Sequence, residues 1–507
     1  MARRRLTDPQ LLLILTAVAL AIRLYLVFTS FCISADGPVY LLMARDFAAG
    51  EPMKALAFQF SPLYPWLISL LHPAVPDWEL AGDLISVVLG TFAVPLVYLL
   101  IRQAFRNHEY ALGAAALMAI QPWMAEYSAS VRTEAGFVCL MVAALYFFLA
   151  GIDLASTIAI ALAGVMGGAA YLYRAEAFGF MPVGGAFLIA GPFIWRRWQI
   201  RQAIGWAMFL AVAFLVVASP YLIYLHHETG HWTISHELNI TASSGMMETA
   251  ANKAPWLALE RSGNVSIFAP LFLAPRAYIY KIAHDLVFSL YYLVQALEPL
   301  PAVLLAIGIG VRGREILCSW SESLLAAIVL FYLFGFTFFA TGPRLMIHLA
   351  AYTFGWVMVG FDRASEWLAG FDLIGARRAP AALAVAVALT MLPQTLWPLG
   401  YDIRAFRQAA ADIRSSDRTD FAIVSADGRV SFYAEAKKVD MPETVSGDLC
   451  GWLDHHRQVK YLMMSLRDER RLGDPRGLGC VAFVKRYPRV GSGYFELFQV
   501  RRENQTH

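Results

Sequence analysis

Apolar residues in this chain come in long runs rather than in alternation. Eleven runs approach the roughly 20 mainly apolar residues that cross a bilayer as a helix. They are Leu11–Thr29, Leu80–Ile101, Tyr110–Trp123, Ala135–Ile152, Thr157–Leu172, Phe178–Trp195, Ile204–Tyr224, Leu286–Val311, Ser323–Ala340, Leu345–Phe361 and Ala381–Trp397. The run Leu286–Val311 holds Glu298-Pro299 and is expected to kink there or to lie partly at the interface. After Gly400 the pattern changes. Tyr401–Ser416 puts Ile403, Phe406, Ala410 and Ile413 on one helical face. Beyond it, Phe421–Ser425, Val430–Ala434, Tyr461–Ser465, Cys480–Val484 and Tyr494–Val500 read as short strands separated by Gly, Asp and Pro. The pattern therefore predicts a polytopic α-helical membrane protein of about eleven transmembrane helices, residues 1–400, followed by a soluble α/β domain, residues 401–507.

Composition sharpens that boundary. Of 507 residues, 58% are hydrophobic and 16% charged, against about 25% charged in soluble domains. A soluble enzyme is excluded. Residues 401–507 carry 18 Lys/Arg and 15 Asp/Glu, and the preceding 400 carry only 23 of each. Arg3, Arg4 and Arg5 precede the first run, which is too long and lacks a small-residue cleavage site, so a retained first helix is expected. Basic residues then recur at every second connection: Arg102 and Arg106; Arg196, Arg197 and Arg201; Arg312 and Arg314; Arg363, Arg377 and Arg378. The positive-inside rule makes these ends cytoplasmic, with the N-terminus inside and the C-terminal domain outside.

The opposite helix ends gather a different set. Asp36, Arg132-Thr-Glu134, Tyr173-Arg-Ala-Glu176 and Arg344 all fall at outer ends of runs. Carboxylates and guanidinium groups on the face poorer in basic residues favour a site, because ionisable residues at membrane depth are costly to keep. Arg23 sits inside the first run and needs a partner, whether a carboxylate, helix carbonyls or a lipid phosphate. Asp46 and Glu51 read as solvated ends of an amphipathic helix, Gly37–Ala49. The outer segment 226–278 is too long for a turn and contains Trp232, Trp256, Phe268 and Phe272, which suits a lid or an acceptor-binding loop. His226, His227, His231 and His236 lie there without a cysteine, a weak signal for a metal. Cys450 and Cys480 are placed where a disulfide is permitted, and spacing leaves their pairing open. No Walker loop or dinucleotide fingerprint occurs.

Several short motifs occur in a telling order. Asp36, Tyr40, Ala44 and Gly50 are followed by Ser61-Pro-Leu-Tyr-Pro65. Thr133-Glu134 opens an apolar helix, and Gly168-Ala-Ala-Tyr-Leu-Tyr-Arg174-Ala-Glu176 and Gly342-Pro-Arg344-Leu-Met-Ile-His348 come later. Ser431-Phe-Tyr433 and Val439-Asp-Met-Pro442 close the series. Together they resemble the GT-C glycosyltransferases, the polyprenyl-phosphate-sugar-dependent membrane enzymes related to protein O-mannosyltransferases and aminoarabinose transferases. Ala175 stands where many bacterial members have Pro, and Leu345 stands where the late motif has Tyr.

The resemblance implies an inverting transferase that moves a hexose or pentose from a polyprenyl-phosphate donor to a hydroxyl of a lipid, glycan or protein acceptor. Asp36 is expected as the catalytic base, with a helix N-cap as its plainer role. Tyr40, Arg132, Glu134, Arg174, Glu176 and Arg344 are expected to bind substrate, the arginines because a guanidinium fork matches phosphate oxygens. As i, i+2 neighbours, Glu134 and Glu176 do not face Arg132 and Arg174 within a regular helix, so any pairing must come from a turn or from another segment. Members differ in metal requirement, so no cofactor is certain and a divalent cation stays open. Membrane lipids are expected partners and nucleic acid is not. A transporter or flippase of a lipid-linked substrate, and a non-catalytic scaffold of the same fold, are the rival readings; the gathering of polar groups at one face rather than the midplane favours the enzyme. Asn239, Asn264 and Asn504 begin glycosylation triplets that suit a lumenal compartment. The Ala- and Arg-rich chain with short loops favours a bacterial inner membrane.

Overall fold

The computed structural model describes the chain except for residues 1–6, 237–270, 273, 340, 371–374, 376, 418–419, 442–448, 490–492 and 503–507. The expectations on Arg3 to Arg5, Trp256, Phe268, Pro442 and the triplets at Asn239, Asn264 and Asn504 lie outside the described residues. The chain forms two compact units: Met1–Tyr25 with Tyr40–Trp397, and Leu26–Val39 with Pro398–His507.

In the first unit every apolar run is largely helical over its described residues. Among the described residues, seven helices are long and apolar enough to cross a membrane: Asp8–Thr29, Trp78–Phe105, Glu134–Asp153, Ala175–Ile194, Ile200–Thr229, Trp320–Phe338 and Pro343–Ala369. The run with Glu298-Pro299 is a pair, Pro275–Leu297 and Pro299–Arg312, bent by 114°, and counts as an eighth span if taken as one. Thr157–Tyr173 and Ala379–Thr395 are apolar but shorter, and His108–Ile120 has 13 residues. Among the described residues, the eleven apolar runs thus form helices, of which seven or eight are long and apolar enough to span and the others are shorter.

Side chains define where these helices begin. Asp77 accepts from Leu80 N, Asn107 from Glu109 N and Tyr110 N, and Ser156 from Ala159 N, each filling a donor that the first turn leaves open. At the bend, Pro299 has no N–H and pushes the preceding residue out of the helical region. Glu298 takes φ 73°, ψ 152°. The carbonyls freed there are met by Gln121 Nε2 to Ala296 O (2.5 Å) and Trp123 Nε1 to Gln295 O (3.1 Å). Arg23 does the same elsewhere. Fully buried, it donates to Ala19 O (3.0 Å), Ala119 O (3.3 Å) and Met118 O (3.4 Å), closing the last turn of His108–Ile120. Of its three expected partners, helix carbonyls are the ones it meets among the described residues.

The unit keeps two sets of helix ends apart. At one end Arg106 and Arg197 both reach Asp153 (3.0 and 2.5 Å), Arg197 lies over Trp320, and Arg312 pairs with buried Glu322. At the other end lie Arg132, Glu134, Arg174, Glu176 and Arg344, treated below. Asp46, expected to be solvated, is buried and paired with Lys54 (2.7 Å).

Among its described residues, the second unit carries a five-stranded sheet of order β2-β1-β3-β5-β4, with β1 Ala422–Ser425, β2 Lys437–Val439, β3 Val459–Ser465, β4 Val481–Pro488 and β5 Tyr494–Val500. β1 pairs parallel with β2 and β3, and β5 pairs antiparallel with β3 and β4. Alternation along the strands sends Ile423, Tyr461 and Met463 to one face, against Phe406, Ala410 and Ile413 of helix Ala405–Ser416. Ala422, Val424, Leu462 and Met464 face the other way, against Leu449 and Leu453. Cys450 and Cys480 form a disulfide that ties this second layer to the residue before β4. The expected strand Val430–Ala434 is instead part of a helix, Gly428–Ala434. Asp427 caps it, and Val430 and Ala434, four apart, both enter the core. β2 lies after it, at Lys437–Val439, where no strand was expected.

Close helix contacts in the first unit rest on glycine. A Cβ at Gly308 would stand 1.8 Å from Trp356 O, and one at Gly360 would stand 1.8 Å from Leu304 O, so Pro299–Arg312 and Pro343–Ala369 touch backbone to backbone. A Cβ at Gly310, in the same helix, meets nothing within 4 Å. Gly308→Ala should therefore destabilise by about 1–3 kcal/mol or more. Gly310→Ala should be neutral or stabilising by up to about 1 kcal/mol. Thermal unfolding of the two variants in one detergent checks the sign of each.

Candidate active site

The site is built where the ends of three helices of the first unit meet. Helix Glu134–Asp153 begins at Glu134, whose side chain is buried. Helix Thr157–Tyr173 stops because Arg174 turns extended (φ −153°, ψ 133°), and the chain then enters the short 3-10 turn Ala175–Gly179. Helix Pro343–Ala369 starts with proline at its first position, placing Arg344 in its first turn.

These backbone choices converge on one carboxylate oxygen. Glu134 Oε1 accepts from Arg174 Nη1 (3.0 Å) and from Arg344 Nε. Arg174 is a hub: Nε and Nη2 hold Glu176 Oε1 (3.2 and 2.7 Å), and Nη1 also reaches Thr133 Oγ1 (3.3 Å). The Arg174–Glu176 pairing thus comes from a turn, and Glu134 comes from another segment. Tyr332 OH donates to Glu176 O (2.9 Å) and pins the turn. Burial works against the charge of Arg174, but Glu176 and Glu134 outweigh it and hold the guanidinium charged above its ordinary range.

The other predicted residues are placed differently. Tyr40 OH lies 3.5 Å from Thr133 Oγ1, at the edge of the cluster, with its ring against Phe60 and Tyr64. The Arg132 side chain turns to Glu126 (3.6 Å) and stacks over the Tyr127 ring. Its backbone N–H donates to Tyr64 OH (3.1 Å). Asp36 belongs to the segment Leu26–Val39, which groups with the second unit. Around it Ser34 Oγ accepts from Gly37 N (3.1 Å), and Asp36 O accepts from Val39 N (3.1 Å).

Three side chains join the site without having been singled out as site residues. Tyr64, the tyrosine of Ser61-Pro-Leu-Tyr-Pro65, is fully buried and donates to Gly82 O (3.0 Å) while touching Ser86 Oγ (2.9 Å). Burial pushes its phenol well above the usual range, so it stays protonated. Thr133 bridges Tyr40 and Arg174. His348, one turn beyond Arg344, packs among Phe137, Tyr332, Phe336 and Tyr352. Its position four residues after Arg344 was the available signal. Buried Glu134 Oε2 and His348 Nε2 have no hydrogen-bond partner among the described residues, and both residues line a cavity of about 10 Å³, the volume of one water.

Beside this cluster opens a larger cavity of about 360 Å³. Phe178, Pro182, Phe331, Phe336, Phe339 and Leu345 wall it, and Arg174 and Glu176 lie at its polar edge. Among the described residues no three His, Cys, Asp or Glu side chains converge as metal ligands. Glu134 and Glu176 are both engaged by guanidinium groups that a cation would have to displace. Of the four histidines considered for zinc, His226 stacks on Trp232 and His231 bonds Thr229 O.

Residues 59–224 match the sequence model of the dolichyl-phosphate-mannose-protein mannosyltransferase family. That stretch takes in Tyr64, Arg132, Glu134, Arg174 and Glu176 and leaves out Asp36, Tyr40 and Arg344. No curated protein sequence matches the chain. In structure it is similar to the archaeal oligosaccharyltransferase AglB from Archaeoglobus fulgidus, solved with an inhibitory peptide and a dolichol-phosphate. The TM-score is 0.57 and the identity 13%, over 90% of this chain and 69% of that one. It is also similar to ArnT from Cupriavidus metallidurans in the apo state, with a TM-score of 0.60 and 13% identity over 96% of this chain and 97% of that one. ArnT bound to undecaprenyl phosphate matches over the same shares, with a TM-score of 0.57 and 13% identity. At such identities the likeness is one of fold.

Removing a single partner from a buried ion cluster strands the rest, at a cost of about 3–5 kcal/mol. Glu134→Gln should lower thermal stability on that scale, because Arg174 and Arg344 lose the carboxylate between them. Adding Arg344→Leu to Glu134→Gln should recover part of the loss. Equal melting of the single and double variants would show that the two arginines are not coupled through Glu134.

Proposed function

The chain is a multi-pass membrane protein with the GT-C glycosyltransferase fold, and on that premise we propose that it transfers a sugar from a polyprenyl phosphate to a hydroxyl acceptor with inversion. The observation that carries this reading is the apolar cavity ending on the Arg174–Glu176 pair. A prenyl phosphate has that same division: hydrocarbon for Phe331, Phe336 and Phe339, and an anionic head for the guanidinium groups. AglB and ArnT, of the same fold, were solved with dolichol-phosphate and undecaprenyl phosphate respectively.

In this mechanism Asp36 takes the proton of the acceptor hydroxyl. The acceptor oxygen attacks the anomeric carbon from the side opposite the phosphate. The carbon–oxygen bond to phosphate breaks, and its electron pair stays on the departing prenyl phosphate. Arg174 and Arg344 stabilise that charge, an electrostatic contribution strongest away from bulk water. Glu134 fixes both arginines so that little reorganisation is needed as charge develops. The second unit holds the base's segment: Ile33 N donates to Tyr433 OH (2.7 Å) and Phe31 N to Leu399 O (2.8 Å). Tyr433 of the Ser431-Phe-Tyr433 motif thereby acts as a positioning residue for Asp36. Acceptors are a lipid, a glycan or a protein.

We place the site on the outer face of a bacterial inner membrane, with the N-terminus cytoplasmic and the C-terminal unit periplasmic. The arginine-rich helix ends around Asp153 and Glu322 suit the cytoplasmic side, and the Cys450–Cys480 disulfide suits an oxidising compartment.

Mass spectrometry of lipids, glycans and glycopeptides tests this reading in three strains: wild type, deletion, and Asp36→Asn at matched expression. Loss of the same sugar-sized mass in both altered strains is the expected outcome, and it identifies the acceptor. Loss in the deletion alone would remove Asp36 as base and favour transport of the lipid-linked substrate. Tyr433→Phe should lower turnover by about tenfold through misplacement of Asp36, with KM for the donor little changed.

A further inference from the structure

A second cavity lies wholly within the second unit, and the sheet topology explains why it is there. The chain runs from β1 to β2 on one side, then crosses back to β3 on the other side of β1. The segments leaving β1 and β3 therefore diverge at the carboxyl ends of adjacent parallel strands. In open α/β sheets such a switch point leaves a crevice where ligands bind. A cavity of about 470 Å³ occurs at that place, lined by Ser425 at the end of β1 with Asp427 beyond it, and by Ser465 at the end of β3 with Arg467 beyond it. Its volume suits a ligand of a few rings at most.

The charges in this crevice are unbalanced. Both acids that line it are already engaged. Asp427 Oδ1 accepts from Arg429 Nε (2.8 Å), and Asp468 Oδ2 accepts from Ser465 N (2.9 Å) and Ser465 Oγ (2.6 Å). Three further guanidinium groups line it: Arg467 and Arg470 from the segment after β3, and Arg489 from the end of β4. None of the three has an ion pair or a side-chain hydrogen bond to a described residue; Arg489 lies over the Phe495 ring. The fold thus brings three uncompensated cations from two separate segments to one concave surface. All three are exposed, and their summed positive field favours an anion at this surface. Phe406, Met463 and Phe495 close the crevice from below as core residues, the Phe406 ring beneath Arg429 and the Phe495 ring beneath Arg489, and the cavity is larger than a bare inorganic anion would fill.

We propose that this crevice binds an anionic saccharide, with its phosphate or carboxylate on Arg467, Arg470 and Arg489 and its ring filling the remaining volume. The site is distinct from the cluster around Glu134, and its existence does not depend on the transfer reaction proposed above. Guanidinium groups recognise both kinds of anion through charge-assisted hydrogen bonds, so the two chemistries are separated by experiment.

The test is calorimetric titration of the full-length protein in nanodiscs with glucose 1-phosphate, glucuronic acid, glucose and inorganic phosphate, at low and high salt. Glucose 1-phosphate, glucuronic acid or both should bind, more weakly at high salt, and glucose should not. The double variant Arg467→Ala/Arg470→Ala should lose at least about tenfold in affinity, as expected for removing charge-assisted bonds. Arg489→Ala, on the other side of the crevice, should weaken the same ligand. Blocked Cys450 and Cys480 thiols serve as the check that each variant is folded. Retained glycosyl transfer in the variants would separate the crevice from the membrane site. Binding of inorganic phosphate as tight as that of the sugar anions would overturn the saccharide assignment. Affinity unchanged in both variants, or no preference for the anionic sugars over glucose, would overturn the site.

Discussion

One carboxylate oxygen organises the membrane unit. Glu134 Oε1 accepts from Arg174, 40 residues on, and from Arg344, 210 residues on, and its side chain is almost completely buried. A buried charge is tolerable only with well-placed partners, so the start of one helix, the turn after another and the first turn of a third must coincide. Other features follow from that requirement. Arg174 ends its helix in extended backbone so that its guanidinium reaches both Glu134 and Glu176. Tyr332 holds the turn, and Pro343 starts the helix that presents Arg344.

The same economy of polar groups governs the rest of the unit. Without water in the bilayer core, every interruption of a helix must have its backbone satisfied by the protein. Arg23 closes the end of His108–Ile120, and Gln121 and Trp123 close the broken turn before Glu298. Thr395 Oγ1 donates to Ile120 O (2.6 Å), adding to that closure. A charged residue inside an apolar run is here a structural device, whereas the charged residues at the opposite helix ends form two separate clusters with different partners.

The C-terminal unit combines the same kinds of part for different ends. Tyr433, in a motif first read as a strand, is on a helix, and its hydroxyl holds the backbone three residues before Asp36. The sheet order places β3 beside β1 and opens the crevice between their following segments. The arginines that line it come from both the parallel and the antiparallel parts of the sheet. Neither the hydroxyl contact nor the crevice has a counterpart in linear spacing.

Much of this protein was legible in its residues alone. The helical runs, the kink at Glu298-Pro299, the helix Ala405–Ser416 and four of the five strands follow from local periodicity and from the backbone limits of proline. Charge told the two sets of helix ends apart, and short motifs pointed to Glu134, Arg174, Glu176 and Arg344. Only the tertiary structure decided that Glu134 serves two arginines, that Arg132 turns to Glu126, and that Asp46 is buried. It also decided that Val430 and Ala434 enter the core as neighbouring turns of a helix rather than as alternate positions of a strand, and that Cys450 meets Cys480. The reason is physical. Periodicity reports which face of an element is apolar, but a side chain's partner is set by which other elements reach it, and residues 210 apart in the chain carry no local trace of being neighbours.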